Sequence, residues 1–125
     1  MKANRFKLCK DAENKLKYLS QHTRLTRNLL LRVGFCLSLN EKSNIDPVRY
    51  SEDGQELNRY TLTGEYDIGY ISILKEWLCE RNIQINDDKM ENYFRAHLNR
   101  GAMILATRSK SLMDIVLLAD NKVSA

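Results

Sequence analysis

The first 39 residues contain the feature that most restricts the fold, a short alternating segment followed by two helices of different character. In residues 5–9, Phe6 and Leu8 alternate with polar or small side chains, and a two-residue period is typical of a strand with one buried face. Apolar side chains then recur with helical spacing over residues 12–22, and Asp11 stands where an N-cap residue is expected. The sequence therefore predicts one short strand and then a helix of about three turns.

The second helix is more apolar than one buried flank requires. Thr26 is expected to cap it, and residues 27–39 follow as a nearly continuous apolar run. The apolar or thiol side chains of that run are Leu29, Leu30, Leu31, Val33, Phe35, Cys36, Leu37 and Leu39. Because they occur on every side of the helix, the sequence predicts that this helix is buried nearly all round.

A single strand ahead of two helices cannot complete a sheet, because both of its backbone edges lack a partner. The ribbon-helix-helix dimer solves this by pairing the strands of two chains into a ribbon that lies in the DNA major groove. In that arrangement Phe6 and Leu8 face the helices, whereas Arg5, Lys7 and Cys9 face outward and can meet DNA. The alternative is an ordinary edge strand with solvated basic residues, and the pattern alone leaves both interpretations open.

Charge is distributed unevenly along the 125 residues. Residues 1–32 contain nine Lys or Arg and two acids, a net charge of +7, whereas residues 33–125 contain eleven Lys or Arg and fourteen acids, a net charge of −3. A basic segment that coincides with the strand and the two helices indicates a polyanion-binding protein. The candidate DNA-binding residues are Arg5, Lys7, Lys10, Lys15, Lys17, Arg24, Arg27 and Asn28.

These candidates have different expected roles. Arg27 and Asn28 stand at a helix N-terminus, where oriented N–H groups add to phosphate binding, and Arg5 and Lys7 are candidates for contacts in the groove. The alternative for the lysines of the first helix is that they are solvated surface residues. Aromatic side chains are not interleaved with these charges, which argues against a stacking platform for single-stranded nucleic acid.

The rest of the chain predicts helices joined by short linkers. Residues 40–49 include the only proline and form the expected linker, and residues 58–61 are a weak strand candidate. Helical spacing predicts one helix from Gly64 to about Asn82. It predicts a longer one, of roughly 20 residues, from Asp88, in which Gly101 is either a weak point or a place of close helix packing.

A last helix is predicted after Ser109 or Ser111. The expected fold is therefore mainly α, a single domain over residues 1–125. A ribbon-helix-helix-like part with one short strand occupies residues 1–39, and a helical remainder occupies residues 50–121.

Cofactor and membrane motifs are not evident. Cys9, Cys36 and Cys79 are widely spaced and odd in number, which favours reduced intracellular cysteines over disulfides or a zinc site. The sequence contains neither a signal peptide nor an apolar run of membrane-spanning length, so a cytoplasmic protein without a cofactor is expected. His22 and His97 are isolated, and His97 falls on the apolar side of its helix, where a core or interface histidine is expected.

A nuclease is harder to exclude. Six acids could in principle assemble a Mg²⁺ site for phosphodiester hydrolysis, but they come from separate predicted elements and form no recognisable motif. They are Glu56, Glu65, Asp67, Asp87, Asp88 and Glu91. Acids at helix starts are also favoured by the helix dipole alone.

Four segments resemble one family, the E subunit of the Dnd DNA phosphorothioation system, DndE. They are HTRLTRN at 22–28, FCLSL at 35–39, EDGQELNRYTLTGEYD at 52–67 and FRAHLNRG at 94–101, of which the third is the most specific. The resemblance implies a small helical protein with a ribbon-helix-helix-like N-terminal part, assembled as a homotetramer. It also implies binding of double-stranded DNA, preferably nicked, beside partner proteins that replace a non-bridging phosphate oxygen by sulfur.

One position departs from the family pattern, which reads T-G-L-T where this chain has Thr23-Arg24-Leu25-Thr26. Glycine there suits a left-handed helix C-cap, and arginine in that conformation would cost on the order of 1 kcal/mol. Either the turn adjusts or the added positive charge is tolerated or useful.

Three functions are therefore in competition. The leading one is a non-catalytic subunit of the phosphorothioation machinery that binds double-stranded DNA. The alternatives are a ribbon-helix-helix transcriptional regulator and a nicking nuclease.

Overall fold

The structure is a computed structural model that describes residues 1–109 and 114–117. Residues 1–109 contain two strands, five α-helices and one 3₁₀ turn (Gly64–Tyr66). The strands and α-helices are β1 (Arg5–Lys7), α1 (Lys10–Thr23), α2 (Arg27–Leu39), β2 (Glu56–Asn58), α3 (Arg59–Thr63), α4 (Asp67–Glu80) and α5 (Asp87–Arg108). The prediction of a mainly helical fold is confirmed. Of the predicted last helix, residues 114–117 are helical and the rest lies outside the described residues.

β1 has a strand partner within its own chain. It pairs antiparallel with β2, and Phe6 lies opposite Leu57. Both of these side chains are buried, whereas Arg5 and Lys7 are exposed, so the predicted alternation is confirmed within β1. It is wrong for Cys9, which was expected on the outer face but is buried, because it lies beyond β1 at the start of α1. The expectation that the strand has no partner within its chain is wrong. Residues 56–58 provide that partner, and three residues are too few to show a period.

Side-chain caps mark the starts of α2, α3 and α5. The predicted Asp11 cap of α1 is wrong, because α1 begins at Lys10 after Cys9, without a side-chain cap. The Thr26 hydroxyl accepts a hydrogen bond from the N–H of Leu29 at 3.2 Å, so the predicted start of α2 is confirmed. α5 begins after Asn86, whose side chain accepts from the N–H of Lys89 at 2.9 Å, so the cap lies two residues before Asp88, the predicted cap. The helix expected from Gly64 is divided into the 3₁₀ turn and α4, and it is preceded by α3 over residues 59–63, where a strand was the weak candidate.

α2 and α5 pack at backbone distance in the centre of the core. A Cβ added at Gly101 would lie 2.2 Å from the carbonyl carbon of Gly34, and one added at Gly34 would lie 2.8 Å from that of Gly101. Phe35 and Phe94 fill the space beside this crossing, with ring centroids 5.3 Å apart. Of the two roles predicted for Gly101, close helix packing is confirmed.

Candidate nucleic-acid interface

The basic residues of α1 and α2 meet at a cleft of about 290 Å³ beside the segment that leads into β2. Glu13 lines this cleft and is only 3% exposed. Its carboxylate accepts hydrogen bonds from Lys17 Nζ at 3.2 Å, Lys10 Nζ at 3.5 Å and the backbone N–H of Gln55 at 3.2 Å. Gln55 Oε1 accepts in turn from Arg27 Nη1 at 2.9 Å. We call these five residues the basic network.

The basic network joins three of the predicted DNA-binding residues, which come from two helices. Lys10 and Lys17 keep 56% and 59% of their side-chain surface exposed, so their ammonium groups remain accessible to a phosphate. Burial acts to raise the pKa of the Glu13 carboxyl, but the hydrogen bond and charge of Lys17 and the charge of Lys10 outweigh it and lower the pKa below its usual value. The carboxylate is therefore ionised at neutral pH.

Arg5 and Lys7 stand on the exposed face of β1, as predicted. Arg5 Nη1 lies 3.1 Å from Glu56 Oε2, and Glu56 is the residue opposite Lys7 in the strand register. The Arg5 pair is exposed on both sides, at 64% and 45%, so it is weak and open to exchange with phosphate. Lys7 has no ion pair within the described residues.

Within the described residues, Lys15, Arg24 and Asn28 make no hydrogen bond or ion pair with the side chains of the basic network. Lys15 pairs with Asp11 at 2.6 Å, and its position two residues from Lys17 places it on another side of α1. Asn28 is half-buried in the first turn of α2 and makes no side-chain hydrogen bond within the described part of the chain.

The turn between α1 and α2 keeps the geometry that suits glycine. Arg24 is the C-cap of α1 at φ 63°, in the left-handed region, and its N–H donates to the Ser20 carbonyl at 2.9 Å. The turn has therefore not adjusted to arginine. The consequence is an exposed positive charge, which stands close to the start of α2.

Sequence reasoning missed the acid at the centre of the network. Glu13 follows Lys10 by three residues and precedes Lys17 by four, and both spacings place side chains next to each other on a helix. That signal was available. Gln55 carried no comparable signal, since it reaches the network only through the pairing of residues 55–58 with β1.

Two of the six acids considered for hydrolysis, Asp67 and Glu56, are each held by a different arginine. Asp67 accepts two hydrogen bonds from the Arg59 guanidinium, at 2.9 and 2.7 Å, and Glu56 pairs with Arg5. Among the described residues, no three His, Cys, Asp or Glu side chains are close enough to hold a metal ion.

His97 belongs to the core. It is 0% exposed, its Nδ1 lies 2.7 Å from Ser38 Oγ, and Arg100 Nε donates to the same hydroxyl at 2.8 Å. The hydroxyl has one proton and two lone pairs, so it can accept from Arg100 and still bond to His97 Nδ1 in either tautomer, whereas Nε2 has no hydrogen-bond partner among the described residues. Burial, reinforced by the charges of Arg100 and Arg81, lowers the pKa of His97 to about 3, so the ring is neutral at neutral pH.

A second surface is apolar. A groove of about 820 Å³ runs between α2 and α4. Leu29 and Ile73 line it and are 40% and 46% exposed, and Cys36 is also exposed there. The prediction that α2 is buried nearly all round is therefore wrong on this side. We call this surface the α2–α4 groove.

Comparisons with known proteins identify the family of this chain and show solved structures with a similar fold. The family model described as "DNA sulphur modification protein DndE" matches residues 5–112. The chain belongs to the DndE family. The resemblance seen in the four sequence segments is thereby confirmed, and this is a family of proteins of DNA phosphorothioation.

Two solved DndE structures have similar folds. A crystal structure of DndE from Escherichia coli B7A, involved in DNA phosphorothioation modification, is 26% identical, with a TM-score of 0.69; the match covers 87% of this chain and 100% of that one. A crystal structure of a DndE mutant involved in DNA phosphorothioation is also 26% identical, with a TM-score of 0.67, covering 84% and 99%. A search of curated proteins returned no significant match.

Membrane insertion through a helix finds no support here. None of the helices in residues 1–109 and 114–117 is long and apolar enough to cross a membrane.

Proposed function

We propose that this DndE-family chain is a non-catalytic subunit of the DNA phosphorothioation machinery that binds double-stranded DNA, intact or nicked. The observation that supports this most is the basic network, in which Lys17 and Arg27 line one cleft and Lys10 joins them through Glu13. Arg5 and Lys7 add an exposed basic face on the adjoining strand. Phosphate contacts of this kind give affinity with little sequence preference.

The two alternatives have less support. A ribbon-helix-helix regulator reads DNA with a ribbon formed between two chains, but β1 takes its strand partner from the same chain. A nuclease needs converging carboxylates or another positioned base, but Asp67 is held by Arg59 and His97 is buried and neutral. Binding without cleavage is the function that these contacts favour.

DNA affinity should fall steeply as salt rises, because each phosphate contact releases counterions. Arg27→Ala should flatten the log–log slope of affinity against salt by about 0.9, the value for one lost contact on duplex DNA. Lys42→Ala removes an exposed lysine of the 40–49 linker and serves as the control that should leave the slope unchanged. Fluorescence anisotropy with a labelled duplex at several salt concentrations measures both slopes.

Either of two results would refute this site. One is duplex binding that does not respond to salt. The other is binding that survives unchanged when Arg5, Lys7 and Arg27 are all replaced by alanine.

We also propose that the chain assembles as a homotetramer and contacts other phosphorothioation subunits. Within the described part of the chain, the α2–α4 groove is a broad apolar surface left open, and one further copy of this chain is the occupant that we infer for it. Exposed apolar surface of this kind is typical of subunit interfaces.

Ile73→Lys should shift the assembly toward monomer, because it places a charge in the α2–α4 groove. Ile85→Lys is the matched control, since Ile85 is exposed to a similar extent, 45% against 46%, but does not line the groove. Sedimentation velocity at micromolar concentration measures the distribution of species. A native protein that sediments as a folded monomer would contradict assembly, and an unchanged Ile73→Lys oligomer would place the interface elsewhere.

A further inference from the structure

We propose that Glu13 limits the DNA affinity of this chain by holding Lys10 and Lys17 on a single carboxylate, so that the two lysines together make one phosphate contact instead of two. This inference rests on the proposed DNA-binding function. It assigns to Glu13 the role of a positioning residue, since it acts on DNA only through the two lysines.

The geometry sets Glu13 apart from an ordinary surface acid. Glu13 is 3% exposed, whereas the lysines that it holds are more than half exposed. The carboxylate is therefore shielded from solvent while its two cations remain open to it. A phosphate can reach the ammonium groups of Lys10 and Lys17, but it must compete with Glu13 for them.

Glu13 cannot follow the lysines toward DNA, because a third contact holds it. The backbone N–H of Gln55 donates to Glu13 Oε2 at 3.2 Å. The segment around Gln55 is itself fixed to the chain after β1, where Leu8 N–H donates to the Gln55 carbonyl at 3.2 Å and Gly54 N–H donates to the Leu8 carbonyl at 2.7 Å. The carboxylate thus keeps its place when a lysine is withdrawn.

The charge balance follows from this arrangement. Two lysines and one fixed carboxylate present a net charge of +1, so they neutralise one phosphate. The Asp11–Lys15 pair on another side of α1 is different, because the Asp11 side chain is 64% exposed. An exposed carboxylate can swing away and is well screened by water and salt, so that pair should restrict its lysine far less.

The test compares Glu13→Gln with Asp11→Asn in the full-length protein, bound to a labelled duplex at several salt concentrations. Each variant removes one negative charge from α1, and the Glu13→Gln amide oxygen can still accept from the Gln55 N–H. We expect Glu13→Gln to add one phosphate contact, steepening the slope by about 0.9 and raising affinity on the order of tenfold near 0.1 M salt. Asp11→Asn should have a clearly smaller effect.

Equal increases in DNA affinity for the two variants would show a general effect of net charge and would overturn the proposal. Weaker DNA binding by Glu13→Gln would also overturn it. If Glu13→Gln fails to fold, the double variant Lys10→Gln, Lys17→Gln decides. A slope lower by about 0.9 supports one shared contact, and a slope lower by about 1.8 overturns it. A native protein that does not bind DNA would refute the proposed function as well, whereas salt-dependent native binding that Glu13→Gln leaves unchanged refutes this inference alone.

Discussion

Gly101→Ala should destabilise the protein by about 3 kcal/mol or more, the upper range for an overpacked core. The new Cβ would lie 2.2 Å from the Gly34 carbonyl carbon and 2.3 Å from its oxygen, and neither is the end of a flexible side chain that can move aside. α2 and α5 would have to separate, which would loosen the packing of Phe35 and Phe94 beside the crossing. Urea unfolding followed by circular dichroism measures the loss.

Gly69→Ala is the control, because it makes the same substitution at an exposed position of α4. An added Cβ at Gly69 meets no atom within 4 Å, so alanine should stabilise α4 by about 0.5–1 kcal/mol through its higher helix propensity. A Gly101→Ala variant as stable as the native protein would mean that α2 and α5 do not cross at backbone contact.

Asp67→Asn should cost about 3 kcal/mol, the lower end for a buried ion pair, because it removes one partner of a pair whose carboxylate keeps 15% of its side-chain surface exposed. Arg59 is 6% exposed and donates two hydrogen bonds to the Asp67 carboxylate, at 2.9 and 2.7 Å. The same guanidinium donates to the carbonyl of Met1 at 2.9 Å. Loss of the Asp67 carboxylate would therefore also loosen the N-terminal segment before β1. Asp11→Asn, which breaks the exposed pair with Lys15, should cost only about 0.5 kcal/mol or less.

The pH dependence of the free energy of unfolding provides a second test of the Arg59–Asp67 pair. The hydrogen bonds from Arg59 lower the pKa of Asp67 against the opposing effect of burial, with further help from Thr63. A lowered folded pKa means that the stabilisation is fully present above the unfolded value near 3.8 and is lost as pH falls through the folded value. The stability gap between native protein and Asp67→Asn should therefore be constant at neutral pH and shrink below about pH 4. A gap that does not change there would contradict an ionised Asp67.

Local signals predicted the helical part of the fold well. Thr26 and the apolar run after it define α2 to the residue, because a cap and a helical core face are both properties of neighbouring residues. β2 was not predictable in this way. It is a three-residue strand that exists because it pairs with β1, about 50 residues earlier, and such pairing leaves no period in the sequence.

The candidate site was predicted in part for the same reason. The exposure of Arg5 and Lys7 follows from strand alternation, and it is confirmed. The meeting of Lys17 and Arg27 depends on Gln55, whose position depends on the unforeseen β1–β2 pairing. The exposed side of α2 was not predicted. The apolar residues of a helix show how much surface it can bury, but the amount that it buries depends on how many other elements of the chain pack against it.

The most direct measurement is a binding comparison of intact, nicked and single-stranded DNA of equal length, titrated with the native protein at several salt concentrations. We predict that both duplexes bind, the nicked one at least as tightly as the intact one, with affinity that falls as salt rises. Single-stranded DNA should bind more weakly, because the basic surface has no interleaved aromatic side chains on which unpaired bases could stack. Tighter binding of the single strand, or no binding of either duplex, would contradict a double-stranded DNA-binding subunit.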